Sequence, residues 1–305
     1  MDVAVVGSSN YDMYTYMSRF PAPGETITGK KFQDGFGGKG ANQAVCASIL
    51  GAKVGIVTRV GDDKFGREIR ENYERHGVDV THVKIVEGVT TGIANIWVDD
   101  SGENKIVLIP GANYKMTAAD VVAAKTLISE AKLLVCQNEI TLEATLEALR
   151  CAKQSHVSTL FNPSPMIDFP DEIFSLVDIW CLNQTELELL MKFQAEDMYD
   201  TPENIRRNCS SLLSKSSCNG ILLTLGSKGA AVVTKDDVVM IPPAHIRKKE
   251  VVDTTGAGDS FLATVAVCLA KNKSFVDAAT TACHTSGETV KYAGCQASYK
   301  YLRPL

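Results

Sequence analysis

The stretch Asp253-Thr254-Thr255-Gly256-Ala257-Gly258-Asp259-Ser260-Phe261 decides the reading of this chain. It sets two glycines and an acid where an apolar run begins, with Phe261, Leu262, Val265, Ala266 and Leu269 at helical spacing. A helix start exposes unpaired backbone N–H groups and carries positive partial charge. Gly256 and Gly258 have no side chain to keep a phosphate from those groups. Asp259 then stands as a carboxylate beside an anion cradle, the combination that phosphoryl transfer to a hydroxyl requires. A glycine turn followed by an ordinary helix N-terminal acid accounts for the same residues. The rest of the chain has to decide between the two.

Around that stretch, short apolar runs alternate with helical patterns. Val3–Gly7, Val54–Val60, Leu133–Gln137, Thr159–Asn162, Ile179–Asn183 and Ile221–Leu225 read as strands. Ala41–Leu50, Asp63–His76, Leu142–Lys153, Glu186–Lys192 and Glu203–Lys215 read as helices between them. This order predicts an α/β fold, a three-layer α/β/α domain with a mostly parallel central sheet. Ligands of such sheets bind beyond the carboxyl ends of the strands.

Residues 11–36 and 91–110 break the alternation. The first carries β-rich residues with Pro21, Pro23 and Gly24, and the second reads as a hairpin of Gly92–Val98 and Lys105–Ile109 around Asp99-Asp100-Ser101-Gly102. Together they predict a small antiparallel β lid, standing on a core built from residues 1–10, 37–90 and 111–305. Two long surface loops are the alternative. A lid excludes water, which competes with a kinase's acceptor hydroxyl. Its outer face could also pair with a second subunit.

Composition narrows the partners. With 45% hydrophobic and 22% charged residues, the 305-residue chain is ordinary for a globular protein. A net charge of −5 argues against nucleic acid and membrane surfaces as partners. No apolar run approaches the roughly 20 residues that span a bilayer. The N-terminal MDVAVVGSSN reads as a first buried strand rather than a signal peptide. The nine cysteines are scattered singly, without CxxC or zinc-ligand spacing, and are expected as reduced core thiols in the cytoplasm.

Several polar groups fall at expected strand ends. Gly35-Phe36-Gly37-Gly38-Lys39-Gly40-Ala41-Asn42-Gln43-Ala44 leads into a helix, with glycines for close backbone approach and Lys39 as a cation. It also satisfies GxGxxG, but Lys31-Phe32-Gln33-Asp34 before it is not the buried strand a dinucleotide fingerprint follows. Asn10 and Asp12 follow the first strand, where an Asp accepts from two sugar hydroxyls at once, or where an Asx turn simply leaves the sheet. Glu139 follows Leu133–Gln137 as either a sugar ligand or a helix N-terminal acid. Asn183-Gln184-Thr185-Glu186 reads as a capping box or as a group near Mg²⁺ and phosphate. Thr224-Leu225-Gly226-Ser227-Lys228-Gly229 suits a nucleotide's ribose and phosphates, or a hairpin turn before Ala230–Thr234.

Jointly these residues resemble the ribokinase family of carbohydrate kinases, over nearly the whole chain from Val5 to Ser298. The blocks Gly37–Asn42 and Asp253–Asp259 carry the resemblance, with Pro23-Gly24-Glu25-Thr26, Gly111-Ala112-Asn113 and Asn162-Pro163-Ser164-Pro165 in support. The resemblance implies that ATP phosphorylates a small sugar, with ribose expected from Asn10, Asp12 and the first block. It implies Asp259 as base and Gly256, Ala257 and Gly258 as the anion hole. Asn10, Asp12, Gly38, Lys39, Asn42 and Glu139 would hold the sugar. Asn183, Thr224, Leu225, Gly226, Ser227, Lys228, Gly229 and Gly258 would line the ATP side, and Glu186 would act on Mg²⁺ through water. A K⁺ site would use Asp253, Thr255, Thr289, Tyr292, Gly294 and Ser298. Dimerisation through the lid is implied as well. The position of Cys283 is commonly a polar amide in relatives. Competing readings are a kinase for deoxyribose, fructose, adenosine or pseudouridine, a non-catalytic sugar- or nucleotide-binding regulator, and a dinucleotide-binding oxidoreductase.

Overall fold

The computed structural model describes residues 1–195 and 198–305. The chain opens with β1 (Val3–Val6), β2 (Asn10–Tyr16), β3 (Lys31–Gly37), α1 (Lys39–Ile49), β4 (Val54–Gly61), α2 (Lys64–Arg75), β5 (Asp79–Val86), β6 (Gly92–Val98) and β7 (Asn104–Ile109). It continues through α3 (Ala118–Ala123), α4 (Lys125–Ser129), β8 (Leu133–Cys136), α5 (Leu142–Gln154), β9 (Ser158–Phe161), α6 (Ile173–Leu176), β10 (Ile179–Asn183) and α7 (Gln184–Met191). The remainder is α8 (Pro202–Lys215), β11 (Gly220–Thr224), β12 (Ala230–Val233), β13 (Val238–Ile241), α9 (Ala257–Ala270), α10 (Phe275–Thr289) and α11 (Cys295–Ser298).

The main sheet holds nine strands in the order β13-β12-β11-β10-β9-β8-β1-β4-β5. From β11 to β5 neighbours run parallel, and β12 and β13 add an antiparallel edge. Successive side chains of a strand point to opposite faces. Val3 and Val5 therefore join the core under α1, α2, α9 and α10, and Ala4 and Val6 join the core under α3 to α8. Both faces are buried, so the central strands read as continuous apolar runs. This is the three-layer arrangement expected.

Helix α9 is apolar on nearly every side because it lies inside the molecule, with α1 and α10 against it. Truncating a residue such as Leu262, 1% exposed, to alanine should cost about 2–5 kcal/mol. That burial fixes where the helix begins, and with it the position of Asp259.

The lid is a second sheet, in the order β3-β2-β6-β7. It differs from the antiparallel lid expected from the sequence, because β2 and β6 run parallel through Asn10↔Gly92 to Tyr16↔Val98. The reason is topological. β2 continues from the carboxyl end of β1 and β6 from that of β5, so both leave the main sheet in one direction. The returning strands β3 and β7 pair antiparallel to them. The turn at Asp99–Gly102 forms as expected, with the Gly102 N–H donating to the Asp99 carbonyl at 3.0 Å.

Seven elements, β5, α3, α4, α6, β13, α10 and α11, were not anticipated. β5 is an edge strand exposed at Asp79, Thr81, Lys84 and Ile85, so it carries little periodic signal. All nine cysteines are unpaired and buried. Among the described residues, no helix is long and apolar enough to cross a membrane.

Candidate active site

The site lies beyond the carboxyl ends of β1, β8, β10 and β11, where α1 and α9 also begin. Gly256 caps α9 at φ +76°, a left-handed conformation that suits glycine. A Cβ on Gly256 would stand 2.1 Å from the Cys295 sulfur, so that residue is held by packing as well as by conformation. A Cβ on Gly258 would meet nothing within 4 Å, because Gly258 faces open space. The start of α9 is thus bare backbone toward a cleft.

Asp259 sits in the first turn of α9 and is 9% exposed. Its Oδ2 accepts from Asn42 Nδ2 at 2.8 Å, and its Oδ1 accepts from Gln43 Nε2 at 2.9 Å. Both donors come from the first turns of α1, which the expected Gly-rich entry stretch delivers. Asn42 Oδ1 accepts in turn from Gln296 Nε2 at 3.0 Å, and Gln296 Oε1 from Asn72 Nδ2 at 2.9 Å.

Asp12 and Asn10 lie on β2, not in a turn after β1, and both are buried. A Cβ on Gly37 would fall 2.1 Å from Asp12 Oδ2, so the glycine opposite makes room for the acid. Burial, then the carboxylates of Glu139 and Asp259, push Asp12 up to about 7. Asn10 Oδ1 accepts from Asn113 Nδ2 at 2.7 Å. Glu139 Oε2 accepts from Ser8 Oγ at 2.6 Å and from the Lys39 backbone N–H at 2.9 Å, so it serves the N-terminus of α1. Gly38 precedes that helix as its N-cap. Burial works against the charge of Lys39, but Asp259, Glu139 and Glu186 outweigh it and raise its pKa.

Two adjoining cavities share Asn183, Thr224 and Gly258. The smaller, about 180 Å³, is lined by Lys39, Asn162, Glu186, Gly256 and Asp259 among others. The larger, about 500 Å³, is lined by Gly226, Ser227, Gly229, Thr254, Ala257 and Cys283 among others. Asn183 and Glu186 form the capping box of α7, so capping and cavity lining coincide in the same residues. The Thr224–Gly229 segment joins antiparallel β11 and β12, so it is also the hairpin turn considered above. Leu225 is buried beneath that turn and Lys228 is exposed, and neither lines the larger cavity. Cys283 lines it, whereas its exposed neighbour His284 does not.

Of the expected cation residues, Asp253, Thr255 and Gly294 are joined by hydrogen bonds, and the Asp253 segment is tied to the end of α10, where Thr289 lies. Val252 and Asp253 donate backbone N–H groups to the Val290 carbonyl, and the Gly294 N–H donates to Asp253 Oδ2 at 2.8 Å. Asp253 Oδ1 accepts from the Thr255 N–H at 2.9 Å. Thr289 Oγ1 lies 3.2 Å from Ser260 Oγ on α9. Ser298 is buried, its hydroxyl donating to the Cys295 carbonyl at 2.6 Å. Tyr292 stacks on Tyr301 with ring centroids 3.5 Å apart.

Sequence reasoning assigned no role to Gln43, Gln137, Asn113, Gln296 or Asn72. Their amides look like ordinary surface chemistry until long-range packing buries Gln43, Gln137, Asn113 and Asn72 and half-buries Gln296.

The sequence profile of pfkB family carbohydrate kinases matches residues 1–301. The chain belongs to the pfkB family of carbohydrate kinases. It is similar to a ribokinase of Mus musculus, 39% identical over 308 residues that cover 99% of this chain and 93% of that one. It is also similar to a deoxyribokinase of Salmonella typhi, 37% identical over 263 residues that cover 86% of this chain and 83% of that one. The solved structure of Arabidopsis thaliana ribokinase complexed with ribose and ATP superposes with a TM-score of 0.87 at 31% identity, covering 97% and 95% of the two chains. This pfkB kinase is therefore an ATP-binding phosphotransferase of carbohydrate metabolism with an alcohol group as acceptor.

Proposed function

We propose that this kinase transfers the γ-phosphoryl group of ATP to the O5 hydroxyl of D-ribose, giving ribose 5-phosphate and ADP. The observation that carries the reading is the convergence of Asp259 with Gly256 and Gly258 on one cavity of about 180 Å³. Asp259 is the base: it orients the acceptor hydroxyl and takes its proton as the O–P bond forms. The backbone N–H groups of residues 256–258 stabilise charge on the transferring phosphoryl group, where one such donor is worth about 3–4 kcal/mol. The larger cavity takes the nucleoside, with Thr224, Gly226, Ser227 and Gly229 along it and Asn183 at the junction.

Asn10, Asp12, Gly38, Lys39, Asn42 and Glu139 hold the sugar. An ionised Asp12 accepts from two neighbouring hydroxyls, and 2-deoxyribose offers one fewer, which supports ribose as the preferred substrate. The similarity to a deoxyribokinase keeps 2-deoxyribose as the second reading.

Two ions complete the proposal. Glu186 lines the phosphate end of the smaller cavity, and an oxygen donor there suits a water-mediated contact to Mg²⁺. Mg²⁺ supplies charge neutralisation to the β- and γ-phosphates when bound. Asp253, Thr255, Thr289, Tyr292, Gly294 and Ser298 offer hard oxygen donors, side-chain and backbone, that fit a K⁺-class cation. Those loops adjoin the start of α9, so their order bears on the aim of its N–H groups. A homodimer through the lid is proposed from its apolar outer strand, where Ile106, Val107, Leu108 and Ile109 are all exposed.

The test is ATP-dependent phosphate transfer to ribose, 2-deoxyribose, fructose and adenosine. The highest kcat/KM is expected with ribose, and a higher value for any other acceptor replaces ribose as the substrate.

A further inference from the structure

The deepest polar feature of the site is a chain of three side chains running inward from Asp259. Gln43 Nε2 donates to Asp259 Oδ1 at 2.9 Å, and Gln137 Nε2 donates to Gln43 Oε1 at 2.5 Å. Gln43 is 1% exposed and Gln137 is fully buried. Gln137 Oε1 ends the chain with no hydrogen-bond partner, packed toward Gly7.

The chemistry fixes the direction of this chain. A carboxylate can only accept, so the end of Gln43 that meets it has to be the NH₂ group. The Gln43 carbonyl oxygen then points at Gln137 and demands a donor. Gln137 supplies it with its own NH₂, and its carbonyl oxygen is left over. The orphaned buried acceptor is the residue of this ordering, since turning either amide round would set an acceptor against an acceptor nearer to Asp259. A buried unpaired carbonyl is costly, and here it lies where it disturbs the carboxylate least.

The two oxygens of Asp259 are supported differently. Asn42, on Oδ2, also belongs to the proposed sugar ligands, and its partner Gln296 is only part-buried. Gln43, on Oδ1, is closed off from solvent and reaches back to the end of β8 through Gln137. Each oxygen thus accepts one buried amide N–H, but only the donor on Oδ2 belongs to the proposed sugar side, which assigns the acceptor hydroxyl to the remaining lone pair of Oδ2.

We propose that Gln43 is a positioning residue for phosphoryl transfer, clamping Oδ1 of Asp259 so that Oδ2 faces the acceptor hydroxyl, with Gln137 fixing the orientation of the Gln43 amide. This rests on Asp259 being the base. It does not depend on which sugar is the acceptor.

The test uses the full-length protein and whichever sugar the parent enzyme turns over fastest, so an error over ribose leaves it intact. Gln43→Leu keeps the volume and removes the donor. Its kcat should fall about 10- to 100-fold, the sugar KM should stay within about threefold, and the acid limb of the kcat profile should move to higher pH, because a carboxylate without its donor holds its proton more tightly. Gln43→Glu sets a second carboxyl against Asp259, and its kcat should fall further with the acid limb displaced further. Gln137→Met unpins the Gln43 amide without removing it and should lower kcat by a smaller factor at unchanged sugar KM. A Gln43 variant that binds sugar normally and keeps the parental kcat and pH profile overturns the proposal. So does a shared loss of sugar affinity and kcat, which marks a structural role. Should neither Gln43 variant fold, Gln137→Met decides alone, and parental kcat in it is the negative result.

Discussion

Asn42 and Asp259 are 217 positions apart in the chain, yet the amide nitrogen of one lies 2.8 Å from a carboxylate oxygen of the other. The first residue belongs to the glycine-rich entry of α1 and the second to the first turn of α9. Two helix starts that read as separate motifs in the sequence form one polar centre, where the side chains of Asn42 and Gln43 on α1 meet the carboxylate of Asp259 on α9.

Asp259→Asn tests that centre directly. The amide keeps the shape but cannot take the hydroxyl's proton, so kcat should fall by about a thousandfold or more. Sugar affinity, measured by calorimetry, should change little. Turnover near the parental rate would remove Asp259 from the chemistry.

The two glycines of the proposed anion hole should separate stability from activity. Gly258 faces open space, so Gly258→Ala should fold normally, and alanine is favoured in a helix by roughly 0.5–1 kcal/mol. Its methyl group occupies room the phosphoryl group needs, so kcat/KM for ATP should drop while the melting temperature holds or rises. Gly256→Ala meets both φ +76° and the Cys295 sulfur, and should cost about 1–3 kcal/mol of stability. Thermal unfolding and ATP kinetics on the two variants check the contrast.

Asp12, pushed up to about 7, would give sugar binding a pH dependence if it holds the sugar as proposed. The protonated acid donates one hydrogen bond, and the ionised acid accepts two. Sugar affinity should therefore rise as pH passes from 6 to 8 through about 7, with proton release on binding near the midpoint. Calorimetry in buffers of different ionisation enthalpy measures that release, and Asp12→Asn should abolish it. The same group affects the free enzyme oppositely. Its folded pKa lies above the ordinary carboxylate value, so its contribution to stability is present at low pH and is lost as pH rises toward 7.

Turnover should be faster in K⁺ than in Na⁺ at matched ionic strength. Asp253→Asn should narrow that difference, since Asp253 ties Thr255 and Gly294 together. Equal rates in the two salts would count against the cation site.

The features legible in the sequence were the local ones. The Gly256–Asp259 turn, the α7 capping box at Asn183 and Glu186, and the Asp99–Gly102 turn depend on residues within a few positions of one another. The doubly buried strands were legible too, because burial on both faces leaves an unbroken apolar run. The lid's parallel pair was not, since nothing in Asn10–Tyr16 specifies that its partner is Gly92–Val98. Edge strand β5 escaped for the opposite reason, being too exposed to show a pattern. Gln43 and Gln137 were illegible as a pair: they lie 94 positions apart, and only the fold turns two unremarkable amides into a buried chain ending on Asp259.

Strand β2 has a consequence for how acceptor choice can change. It bears Asn10 and Asp12, and it is also the strand on which the rest of the lid is laid, with β3 on one side and β6 on the other. The cover and the proposed recognition of the acceptor are thus inseparable parts of one covalent cassette. A chimaera that imports residues 10–37 and 92–109 together from another family member should inherit the donor's sugar preference, whereas a graft of the hairpin 92–109 alone should leave the host's preference where it was.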